Sequence, residues 1–172
     1  LALPLTSVLS PGASNLAALA AWVGASAPAQ LMRGNAWLYP LVETVHILSF
    51  VLLVGAVAMF DLRLLGFGRQ LPPRDLARHL LPWSAASLLL VVPSGLLLFA
   101  SQPADMLASR AFLLKMGLMA AAGLNALLFH RGPWWRASVA GLAADGRTRV
   151  HAGLSLLLWV GVIACGRLIA YI

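Results

Sequence analysis

The stretch Trp37–Gly66, WLYPLVETVHILSFVLLVGAVAMFDLRLLG, limits the chain's options more than any other. It is a long apolar run that carries Glu43 and His46 near its start and Asp61 and Arg63 near its end. A helix rises about 1.5 Å per residue, so about 20 residues cross the hydrocarbon core of a bilayer. Tyr39 to Phe60 has that length. The run is therefore expected to span a membrane, and the rest of the chain must be compatible with that.

Composition agrees. Only 10% of the 172 residues are charged and 61% are hydrophobic, whereas a soluble domain has about 25% charged residues. So few charges cannot solvate a surface, and lipid is expected to be the solvent for most of it. The net charge of +7 does not point to nucleic acid, because the basic residues sit beside apolar runs, as the positive-inside rule requires. Cys165 is the single cysteine, which excludes an intramolecular disulfide and a cysteine-based metal site.

Hydropathy and breakers predict an all-α protein: an integral-membrane antiparallel four-helix bundle with a short N-terminal interfacial helix. Residues 1–36 form an extracytoplasmic, interfacial segment. Leu1–Ala13 reads as irregular, and Ser14 or Asn15 caps a short helix through Trp22. Leu1–Ala29 has no charge and so lacks the basic start of a secretory signal. Residues 37–172 form the four-span domain, with spans at about 37–65, 83–100, 110–130 and 151–171. Pro82 is expected to open the second span, and Pro93-Ser94-Gly95 to kink it. The loops after spans one and three hold most of the arginines. That places them in the cytoplasm and both termini outside, in a bacterial cytoplasmic (inner) membrane.

Ionisable residues inside spans are costly and therefore candidates for function. Glu43, His46, Lys115 and Arg167 come from three spans and share the outer half of the bundle. Glu43 and His46, three apart, share a helix face. Met119 lies at the depth of His46. This layer suits a b-type haem: His46 as axial ligand, Met119 as a sixth ligand, Lys115 and Arg167 for the propionates, and Phe50, Gly95 and Gly123 along the ring. A quinone headgroup suits the same place, with Glu43 and His46 handling protons. In a purely structural alternative, Glu43 pairs with Lys115 or Arg167 and His46 bonds a neighbour. His79, His130 and His151 share the opposite boundary, where a metal or haem on His130 competes with simple exposure to water. Asn125 is expected to bridge helices, and Asp61 and Arg63 to form an interfacial ion pair.

Several motifs recur in a fixed order: LYPLVETVH at Leu38–His46, GAVAMFDLRLLG at Gly55–Gly66, LLPW at Leu80–Trp83, KMGLMAAAGLNALLFH at Lys115–His130 and CGRLIAY at Cys165–Tyr171. In that order the chain resembles a bacterial family of small four-helix membrane proteins of unknown function, from about Ser14 onward. The resemblance implies the four-helix fold, picks out Glu43, His46, Asp61, Arg63, Lys115, Asn125, His130 and Arg167, and implies no activity. A weaker similarity runs to HemJ-type protoporphyrinogen oxidases and CopD-type membrane proteins. The HemJ likeness implies b haem on a first-span histidine, which maps to His46.

Three functions follow as expectations. The first is a b-type cytochrome-like protein in electron transfer. The second is a non-catalytic accessory subunit that packs against other membrane protein subunits of a larger respiratory or photosynthetic complex. The third is a small transporter using scattered Met and His. The lipid bilayer is the common partner of all three.

Overall fold

The apolar runs become helices because no other structure satisfies backbone polar groups inside a bilayer without forming a barrel. A computed structural model describes residues 11–141 and 145–169. Among these residues there are eight helices: α1 (Pro11–Gly24), α2 (Ala27–Gly34), α3 (Leu38–Leu65), α4 (Pro73–Ser101), α5 (Pro103–Ala108), α6 (Arg110–Arg131), α7 (Pro133–Val139) and α8 (Gly146–Leu168). The expectations for residues 1–10 and for the end of the fourth span at Tyr171 fall outside the described residues.

Helices α3, α4, α6 and α8 are long and apolar enough to cross a membrane. Between 17% and 28% of each apolar stretch is buried within the protein. Large side chains such as Leu48, Val51, Leu89 and Leu157 point outward instead. Lipid must cover that surface, and the chain is a multi-pass membrane protein.

Helix ends follow local chemistry. Gly66 stops α3 in a left-handed conformation, φ 108°, which a residue without Cβ adopts freely. Its N–H bonds to Arg63 O at 3.1 Å, and the N–H of Phe67 bonds to Leu62 O at 3.0 Å, closing the last turn. The hydroxyl of Ser109 accepts the Phe112 N–H at 3.3 Å to open α6. The carboxylate of Asp145 accepts the Thr148 N–H at 2.8 Å to open α8. The hydroxyl and N–H of Thr148 together hold the Asp145 carboxyl below the usual carboxylate range.

Two features differ from expectation. Helix α4 begins at Pro73, not at Trp83, and takes in residues 73–82 as well as the second span. Proline at the first helical position is well tolerated, and both Pro82 and Pro93 sit inside a continuous helix. The expected N-terminal helix is a pair, α1 and α2, and Pro11–Ala13 belong to α1 rather than to irregular chain.

The long helices pack as neighbours in the order α4, α3, α8, α6. Helix α3 lies along α4 and α6 along α8, with α3 against α8 joining the two pairs. The pair α1 and α2 covers one end of the bundle. Arg33 of α2 fixes it there, donating to Ser101 O at the end of α4 at 3.0 Å and to Gly24 O at the end of α1. Ala29 and Met32 are buried beneath. At the other end Leu64, Phe129 and Ala152 form a small core, with Phe60, Leu65, Trp134 and Trp135 against it.

Candidate functional site

The site lies where α3 crosses the far half of α4. A proline inside a helix removes one backbone donor, and Pro93 lies in α4 beside the residues that meet α3. Next to Pro93, the Ser94 hydroxyl donates to Leu90 O at 2.6 Å. Its lone pairs then face His46 of α3, whose Nδ1 is 3.0 Å from Ser94 Oγ and 3.1 Å from Val91 O. A carbonyl oxygen only accepts, so Nδ1 carries the hydrogen. In the neutral imidazole that leaves the lone pair on Nε2. No hydrogen bond to Nε2 is formed among the described residues.

Gly95 makes this approach feasible. A Cβ at that position would sit 3.0 Å from His46 Cε1 and 3.5 Å from Nδ1. The ring occupies the space that any other residue's side chain would fill.

One turn along α3, Phe50 lies nearly parallel to the imidazole, 6.5 Å between centroids at 18°. Phe50 meets Trp159 of α8 edge-on at 5.9 Å. Lys115 of α6 is half-buried, and its ammonium acts electrostatically on His46. Lys115 Nζ would be 3.9 Å from a Cβ on Gly166 of α8, so it reaches across to that helix. His46, Phe50, Ser94, Gly95, Lys115 and Trp159 are thus drawn together from all four long helices.

The other expected members of the layer differ. Glu43 is exposed, with Tyr39 one turn away as its electrostatic neighbour. No ion pair from Glu43 to Lys115 forms among the described residues. Positions three apart differ by about 60° around a helix, enough to send Glu43 outward and His46 inward. Arg167 is exposed near the end of α8, and Met119 is half-buried on α6. Trp159 and Ser94 were not singled out by sequence. Ser94 carried a signal, being the residue after a mid-span proline.

A model of a family of unknown function, DUF6644, matches residues 19–172. The chain belongs to that family. The match covers the whole four-span domain and agrees with the resemblance read from the ordered motifs. It shows no likeness to HemJ-type or CopD-type proteins beyond that family. No curated protein and no solved structure matches the chain.

At the opposite end of this DUF6644 protein, Asn125 bridges α6 and α8 as expected. Its Nδ2 donates to His151 O at 3.1 Å, and its Oδ1 accepts from His151 Nδ1 at 2.7 Å. His130 is exposed, donates from Nδ1 to Ala126 O at 2.8 Å and lies 4.5 Å from the Trp135 ring. His79 is exposed on α4. No group of three metal-ligating side chains forms among the described residues.

The expected ion pair between Asp61 and Arg63 does not form. Arg63 donates to Leu71 O and Arg69 O in the following loop. Asp61 is 7% exposed and turned into the bundle. Two positions apart on a helix is about 200°, so the two side chains leave on opposite faces.

Proposed function

We propose that this protein is a membrane-embedded b-type cytochrome-like protein, with His46 as the axial ligand of a haem. One observation carries the reading. The Nδ1–H of His46 is tied to Val91 O and Ser94 Oγ, which fixes the ring and leaves Nε2 as the nitrogen able to bind iron. Metal-bound histidines are oriented in this way by a carbonyl or carboxylate on the far nitrogen. The Gly95 notch supports the same reading, since it seats the ring against the α4 backbone.

In this reading Lys115 offers a cation for a propionate, with Arg167 farther out at the end of α8. Phe50 and Trp159 would supply flat apolar walls, and Met119 would be a second residue able to hold the group. Bound haem would supply one-electron redox chemistry. The protein would hold it, exclude water and set its potential through the bond on Nδ1. A quinone headgroup is the competing occupant, for which Nε2 would act as a hydrogen-bond acceptor. The protein is assigned to a bacterial inner membrane, with the arginine-rich loops in the cytoplasm and both termini outside.

Titration of haem into the purified protein in mild detergent tests this. The expected result is a saturable shift of the Soret band at one haem per chain, absent in His46→Ala. A linear, unsaturated response shared by wild type and His46→Ala would contradict it.

The accessory-subunit reading also has an observation in its favour. Leu16, Leu19 and Trp22 on α1 are more than half exposed, on a helix too short to span. Gentle extraction followed by sizing would reveal a larger assembly.

A further inference from the structure

Independently of what His46 holds, a second buried group needs a role. Asp61 lies in the membrane-spanning part of α3, 7% exposed. Its Oδ2 is the one buried side-chain N or O atom among the described residues without a hydrogen-bond partner. Ser155 of α8 is the side chain within reach of the carboxyl.

No counter-ion among the described residues compensates it. On its own helix, Arg63 is engaged by the carbonyls of Leu71 and Arg69. On α4, Arg74, Asp75, Arg78 and His79 are exposed. On α6, His130 and Arg131 are exposed, and Asn125 is neutral and occupied by His151. On α8, His151 is bonded to Asn125 through Nδ1. Arg147 and Arg149, also on α8, are exposed. An uncompensated carboxylate in such a place is costly, whereas a protonated one is a neutral group with a hydrogen to share.

Access to water is close at hand. A recess of about 360 Å³ is lined by Trp134, Gly146, Arg147, Val150 and His151. Asn125 Oδ1 only accepts if its Nδ2 donates to His151 O, so His151 Nδ1 carries a hydrogen and Nε2 is left to exchange protons. Ser155 lies four residues on from His151, on the same face of α8. The recess, His151 and Ser155 therefore follow one another along α8, with the Asp61 carboxyl of α3 within reach of Ser155. Phe60 and Phe129 both pack against Trp135 at this end of the bundle.

We propose that Asp61 is a membrane-embedded site for reversible proton binding, served from the arginine-rich end by His151 and Ser155. The transfer is a simple one: a proton leaves water for His151 Nε2 and is passed through the Ser155 hydroxyl to an Asp61 oxygen. No other bond is made or broken. A bound cation such as sodium is disfavoured, because it would need several oxygen ligands and this apolar site offers few.

Infrared difference spectra of the full chain in liposomes test the proposal, recorded as pH is stepped between about 5 and 9. The expected result is a protonated-carboxyl C=O band that is present at neutral pH, fades as pH rises and is missing in Asp61→Asn. That variant is isosteric with the protonated acid and is expected to fold. Ser155→Ala should shift the band's frequency, and His151→Gln should slow its response to a pH jump without removing it. Identical spectra for wild type and Asp61→Asn would overturn the proposal. So would an Asp61 band unchanged over the whole range, since the proton would then be permanent. A response rate unaffected by His151→Gln would overturn the route through His151.

Discussion

Gly95→Ala puts the seating of His46 to a quantitative test. The added methyl would lie 3.0 Å from His46 Cε1. That is closer than packed carbons normally approach, and the ring cannot retreat freely because Nδ1 is bonded to Val91 O and Ser94 Oγ. Overpacking of this kind costs about 1–3 kcal/mol. The same substitution gains about 1 kcal/mol in helix propensity. The gain can be cancelled with a matched control. Gly117 on α6 is exposed and has nothing within 4 Å of its would-be Cβ. Gly117→Ala should therefore show only the gain. Reversible unfolding in mixed detergent micelles should find Gly95→Ala less stable than Gly117→Ala by about 1–3 kcal/mol. Equal stability of the two variants, or a more stable Gly95→Ala, would refute the close seat of the imidazole against α4.

Other outcomes are expected elsewhere. Asn125→Leu strips His151 Nδ1 of its partner across the α6–α8 contact and should cost about 1–3 kcal/mol in the same unfolding assay. Asp145→Ala should destabilise the start of α8, seen as faster amide hydrogen exchange at Arg147–Arg149 than in wild type. The Asp145 carboxyl is held below its unfolded value, so its contribution is present above the ordinary aspartate range and is lost as pH falls through the lower folded value. The exchange difference between wild type and Asp145→Ala should accordingly shrink below about pH 4.

The spans were legible because lipid imposes a simple rule of length and apolarity, and the four long helices obey it. Depth along a helix was also legible, because residue number along a span translates directly into height in the bilayer; His46 and Lys115 fall in the same half of the bundle on that count alone. Rotation about the helix was not. Glu43 and His46 share a depth but not a surroundings, and Asp61 and Arg63 part company for the same reason. In a soluble helix the polar face reveals the phase. Here apolar residues face lipid and protein alike, so the pattern carries little phase information. Prolines misled in a different way. Pro82 suggested a boundary, yet α4 runs through it from Pro73, since a helix within a bundle tolerates the single donor that an internal proline removes. Gly95 was legible as a place without a side chain at the level of His46, but the part played by Ser94 emerged only with the imidazole bonded to it.

The most direct test is a reduced-minus-oxidised absorption spectrum of the purified protein, compared among wild type, His46→Ala and His130→Ala. The central claim predicts b-type haem bands in wild type and in His130→Ala and none in His46→Ala. Bands that survive in His46→Ala, or a colourless wild type purified from haem-replete cells, would contradict it.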